Sequence, residues 1–102
     1  MLLIREIMYC KPGKVRPMVE KFLAMSKLMQ KSGMKMRVLT DLSAERYWTI
    51  VSEMEVPNLK SFEEMFQGQG QSDADSKEFE KIMSGYHDFV EQGRREIYKI
   101  EG

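Results

Sequence analysis

At 102 residues, 42% hydrophobic and 31% charged, the chain has the size of one domain and enough apolar side chains for a core, so a single domain over 1–102 is expected. No apolar run approaches the ~20 residues of a membrane span, MLLIREIMYC carries no secretory-leader pattern, and Cys10 stands alone, which excludes an internal disulfide or multi-cysteine cluster and points to the cytoplasm. Net charge is zero but split: nine Lys/Arg against two acids over Met1 to Thr40, and seven against fourteen from Asp41 to Gly102, a pattern that suits oppositely charged elements packed together and not nucleic-acid binding.

Leu2 to Tyr9 is rich in Leu and Ile and stops at Lys11-Pro12-Gly13, so it reads as a first strand closed by a turn. From Lys14 the period changes. Val15, Met18, Val19, Phe22, Met25 and Met29 recur at three- and four-residue steps, the stripe of an amphipathic helix of about five turns. Pro17 is tolerated near its first turn, and Ser32-Gly33 supplies a stop. Two strand-like runs follow, Met34 to Thr40 and Arg46 to Val56, joined by the hairpin-length loop Asp41 to Glu45. In the second run Trp48, Ile50, Met54 and Val56 alternate with Tyr47, Thr49, Val51, Glu53 and Glu55, so both faces carry apolar groups.

Asn58 is placed to cap a short helix with Leu59, Phe62 and Phe66 as its stripe, ending near Gln67. Gly68 to Ser72 has no apolar anchor and reads as a link. Asp75 and Glu78 have capping-box spacing ahead of Phe79, Ile82, Met83, Tyr86, Phe89 and Val90, which predicts a longer helix ending at Gly93. Arg94 to Glu101 is the last strand.

The order βαββααβ describes an α+β, ferredoxin-like split βαβ arrangement: four antiparallel strands in order 4-1-3-2 with the helices on one face. The other face would then expose Tyr47, Val51, Ile7, Tyr9 and Tyr98, apolar area that so small a chain needs for stability. A second sheet stacked on it, giving a homodimer that buries more than ~1,000 Å², removes the problem. The chain resembles the dimeric α/β-barrel superfamily, in particular small NIPSNAP-like and antibiotic-biosynthesis-monooxygenase-like proteins. The likeness rests on the opening strand with KPGK at Lys11 to Lys14, the runs MKMRVLTD and ERYWTIVSEMEV, PNLKSFEEMF at Pro57 to Phe66, and the closing GRREIYKIEG. These are architectural patterns, so they imply fold and dimer and not a particular reaction.

His87, the only histidine, falls on the edge of the last helix stripe, where an imidazole can shuttle protons or simply hydrogen-bond at a rim. Trp48, Tyr86 and Met83 can line a pocket for an apolar or aromatic compound, or fill core. With His87 as base they would suit a cofactor-independent monooxygenase acting on an aromatic or quinol-like substrate. The resemblance also implies a haem alternative, since some superfamily members use a helix histidine with a nearby Asn and Trp. Here the first strand has no asparagine and Asn58 reads as a cap, so the expected cofactor is none. Arg5, Arg37, Arg94 and Arg95 could clamp a carboxylate with Glu53 or Glu55 as partner, but cross-strand pairing, Arg5 with Glu53 above all, is the simpler account. Cys10 has no neighbouring histidine in sequence and reads as structural.

Overall fold

The computed structural model describes residues 1–31, 33–66 and 73–102. Strand β1 (Leu2–Cys10) leads through a turn, with Lys14 N–H donating to Lys11 O at 2.9 Å and Gly13 at φ 78°, into helix α1 (Val15–Gln30). Positive φ at that point carries no Cβ penalty because the residue is glycine. The α1 stripe matches its periodicity: Met18, Val19, Phe22 and Met29 are buried. Gly33 at φ 77° ends the helix, and Met34 N–H returns to Met29 O at 3.2 Å, the wrap of a glycine-terminated C-terminus.

Strands β2 (Met36–Thr40) and β3 (Thr49–Val56) form the expected hairpin. Asp41 Oδ1 accepts from Thr49 N–H at 2.9 Å, and Thr49 Oγ1 donates to Arg46 O at 2.8 Å, pinning the base of the intervening loop. Helix α2 (Leu59–Phe66) starts as predicted, with Asn58 Oδ1 accepting from Ser61 N–H at 2.9 Å. The Gly68 to Ser72 link and Ser32 lie outside the described residues.

Several boundaries differ from expectation, among them the start of β2, at Met36 and not Met34. Helix α3 spans Asp73–Met83, so Asp75 sits inside its first turn and not at its cap. It stops well short of Gly93: Gly85 takes φ 80°, a 3₁₀ turn covers Tyr86–Asp88, and strand β4 (Val90–Lys99) begins where helix was expected. A left-handed glycine cannot continue a right-handed helix, and the three-residue period of the turn then keeps Tyr86 and Phe89 facing the core. Strand β3 also starts late, at Thr49, which leaves Trp48 outside the ladder at φ 60°.

The sheet order is β2-β3-β1-β4, all antiparallel, as the split βαβ reading requires. Helix α1 packs across it on one face, with Ile4, Cys10, Ile50, Met54 and Val56 meeting Met18, Phe22 and Phe62. Charge segregation in the sequence becomes pairing in space: Lys31, just past the end of α1, lies 3.8 Å from Asp75 of α3, and Lys21 Nζ donates to Ile82 O and Ser84 O at 2.9 and 2.7 Å. No described helix is long and apolar enough to cross a membrane.

Candidate functional site

The end of β1 gathers most of the residues singled out above. Cys10 N–H donates to Trp48 O and Lys11 N–H donates to Phe89 O, both at 2.8 Å, so Trp48 and the Tyr86–Asp88 turn flank β1 from opposite sides. Two strand spacings separate them, about 10 Å. On the turn, the Tyr86 and His87 rings touch, with centroids 3.9 Å apart and planes 34° from each other. Tyr86 and Met83 are half-buried against the core, whereas His87 is on the exposed side. Trp48 is 43% exposed and does not occupy the strand position that its alternation implied. Tyr86, Met83, Met8 and Phe89 thus form a partly covered apolar rim with an imidazole at its edge.

Behind that rim the interior is rich in methionine. Of the ten methionines, all but Met1 belong to the core: Met18, Met29, Met36 and Met54 are buried, and Met8, Met25, Met34, Met65 and Met83 pack against them. Thioether chains have three rotatable bonds and re-pack at low cost, which lets such an interior yield to an inserted apolar group. Cys10 lies in the same core; burial above all, then the Asp41 carboxylate, pushes its thiol above the ordinary value, so it stays protonated and is no nucleophile. The resemblance-implied haem set does not assemble. Asn58 caps α2 beyond Val56, at the opposite end of β1 from His87 and Trp48, roughly 26 Å away at the rise of a strand. That far end also has an open recess of about 440 Å³ between Met34, Lys35, Glu55 and Pro57.

The face of the sheet away from the helices is ordered by register. Arg37 pairs with Glu53, Glu53 with Arg5, and Arg5 with Glu96, so one row across all four strands reads plus, minus, plus, minus. Glu53 takes Arg5 at 2.9 Å on one oxygen and Arg37 on the other, as the cross-strand reading anticipated for Arg5. The Nε–H of Arg5, close as it is, is not aimed at that oxygen and has no hydrogen-bond acceptor among the described residues. Arg94 donates to the Tyr9 hydroxyl and to Glu96 at 3.1 Å, and Arg46 stacks 4.2 Å over the Tyr9 ring. As a result Ile7 and Tyr9 are only 5% and 6% exposed in a single copy, while Tyr47 is out on the loop. The open face is a charged lattice with apolar fill, less greasy than its alternation predicts. Arg95 faces the helices, paired with Glu6 and lying 5.0 Å over the Phe62 ring. Sequence reasoning gave no role to Arg46 or Lys21, which are identified only by what they touch. Among the described residues no three His, Cys, Asp or Glu side chains form a metal site.

A four-stranded antiparallel sheet in this order under three helices defines the ferredoxin-like α+β class. Within it, the fold is the one shared by NIPSNAP-domain and antibiotic-biosynthesis-monooxygenase structures. An uncharacterised NIPSNAP domain protein from Burkholderia xenovorans superposes with a TM-score of 0.73 at 10% identity, over 100% of this chain and 96% of that one. A protein from Agrobacterium tumefaciens gives 0.75 at 14% identity over 97% and 92%, and an antibiotic biosynthesis monooxygenase gives 0.71 at 10% over 100% of both chains. No protein-family model matches the sequence, and no curated protein matches it.

Proposed function

We propose that the protein is a homodimeric small-molecule-binding protein of the dimeric α/β-barrel type, taking an apolar or aromatic ligand between helices and sheet at the Tyr86 and Met83 rim. The observation that carries this reading is the thioether interior: four buried methionines with five more packed against them supply the adaptable lining that a pocket opening on binding requires. The open sheet face supports the dimer. Four strands about 4.8 Å apart and five to ten residues long make a patch of roughly 500 Å² per copy, about 1,000 Å² for a pair, at the threshold for specific association.

The test is titration with the fluorophore 1-anilinonaphthalene-8-sulfonate. Saturable binding that Tyr86→Ala weakens by roughly 2- to 10-fold, the equivalent of one aromatic contact, is expected. Absence of saturable binding would leave an assembly module without a ligand. A second reading, a cofactor-independent monooxygenase on a quinol-like substrate, rests on the contact between the Tyr86 ring and the His87 imidazole, which places a base beside the rim. Substrate-dependent oxygen uptake with a naphthohydroquinone, abolished by His87→Ala, would favour it over simple binding.

A further inference from the structure

Lys21 is a half-buried cation without an acid. Its Nζ donates to Ile82 O at 2.9 Å and to Ser84 O at 2.7 Å. Those two acceptors flank Met83 in the chain, so the ammonium stands against the apolar rim, 5.9 Å from the centroid of the Phe89 ring. An ammonium has three N–H donors, and the two carbonyls take two of them. Carbonyls at a helix C-terminus together carry only about half an elementary negative charge, so much of the lysine charge is left without a counter-ion. The arginines on the sheet, Arg5, Arg37, Arg94 and Arg95, each have a carboxylate partner. Among the described residues none pairs with Lys21. Glu20, its neighbour on α1, and Asp88, on the turn before β4, are both exposed to solvent.

We propose that Lys21 is the anion-binding end of the rim, so that the ligand is an aromatic monocarboxylate whose ring lies across Met83, Tyr86 and Phe89 and whose carboxylate accepts the remaining Lys21 N–H. The inference rests on the binding reading given above and narrows it from an apolar or aromatic compound to an anionic one. Three features select this class. Ile82, Met83, Tyr86 and Phe89 are all half-buried, so a flat ring laid over them removes from water apolar surface that is still partly wet. Near a protein surface the attraction between opposite charges is about four times its strength in bulk water. Lys21 is also held by two carbonyls before any ligand arrives, so its long side chain loses little further freedom on binding. The third feature is the single free donor: it suits one carboxylate oxygen, whereas a phosphate monoester calls for several donors or an arginine fork, and no arginine belongs to the rim.

The experiment compares two probes of the same shape, 2-naphthoate and the neutral 2-naphthamide, by isothermal titration calorimetry. The wild type is expected to bind the carboxylate at least roughly tenfold more tightly than the amide, the return on one charge-assisted hydrogen bond. That gap should narrow as salt is added, because the pair is only partly shielded from solvent. Lys21→Met is expected to bring the naphthoate affinity down to that of the amide and to leave the amide affinity unchanged. Should Lys21→Met compromise folding, Lys21→Gln keeps an N–H donor for the two carbonyls, removes the charge and is expected to give the same result. Equal affinities for the two probes in the wild type overturn the anion assignment and leave the apolar rim standing, as does a preference that survives the loss of the Lys21 charge. A preference lost in His87→Gln with Lys21 intact transfers the carboxylate to the imidazole and overturns it as well. Failure of both probes to bind removes the rim as a ligand site together with its anion end.

Discussion

Cys10 sits buried where β1 ends, and desolvation, aided by Asp41, raises its thiol pKa above 9.0. A folded-state value above the unfolded one means a stabilising contribution that is complete below pH 9 and is lost as pH climbs through the folded value, where the buried sulfur would have to ionise. Alkylation by iodoacetamide at pH 8 is therefore expected to run at least roughly tenfold slower in the native protein than in urea, since the thiolate is the nucleophile. Stability measured in urea should also decline more steeply above pH 9 in the wild type than in Cys10→Ala. Equal native and denatured alkylation rates would refute the buried-thiol assignment. This residue was legible in the sequence, which offers it no histidine neighbour and only one adjacent cation. Trp48 was not: its side chain continues the alternation of Ile50, Met54 and Val56, yet its backbone is left-handed at φ 60°. Such a conformation is rare for a bulky residue and leaves no mark in a hydrophobic pattern.

Among the elements, α3 depends on a neighbour. Helices end with unsatisfied carbonyls, and at this end Lys21 from α1 donates to Ile82 O and Ser84 O while lying 5.9 Å from the Phe89 ring centroid. One ammonium thus ties α1, the end of α3 and the turn before β4 together. Lys21→Met keeps the length of the side chain and removes the donor, so it should cost about 1 to 2 kcal/mol. The loss should appear as faster hydrogen exchange over residues 79–89 with the β1–β3 ladder unchanged; protection lost evenly across the molecule would instead mean general destabilisation. The end of α3 shows why element order was readable when boundaries were not. The spacing of Phe79, Ile82, Met83, Tyr86 and Phe89 suits one uninterrupted helix, and Gly85 breaks it, but the 3₁₀ turn restores nearly the same phase. The apolar stripe reports which side faces the core, and that survives a change of backbone. The placement of Tyr86 and Met83 against the core was accordingly within reach of the sequence, whereas the position of His87 on a short turn was not.

At the scale of the whole molecule, the open sheet face makes the fold sensitive to acid through Glu96. The Tyr98 hydroxyl, donating to Oε1 at 2.8 Å, contributes most to holding the Glu96 carboxyl below its ordinary value of 4.5, and Arg94 and Arg5 add to it against the opposing effect of desolvation. A carboxylate depressed in the folded state contributes stability that is present above its unfolded pKa and is lost as pH falls through the folded one. Tyr98→Phe removes the leading cause while keeping the ring on the face. The variant should therefore be less stable than wild type in urea at pH 7, and the difference should shrink towards zero as the pH falls through the depressed folded-state pKa, below which the carboxyl is protonated with or without the hydroxyl. If the face carries a second copy, protonating Glu96 should also loosen the dimer. Sedimentation alongside the urea curves separates the effects: loss of stability at constant molecular mass belongs to the single chain, and a fall in mass belongs to the interface. A Tyr98→Phe penalty that does not shrink anywhere on the acid side of neutrality would mean that the hydroxyl acts through packing, and the electrostatic account of this face would have to be withdrawn.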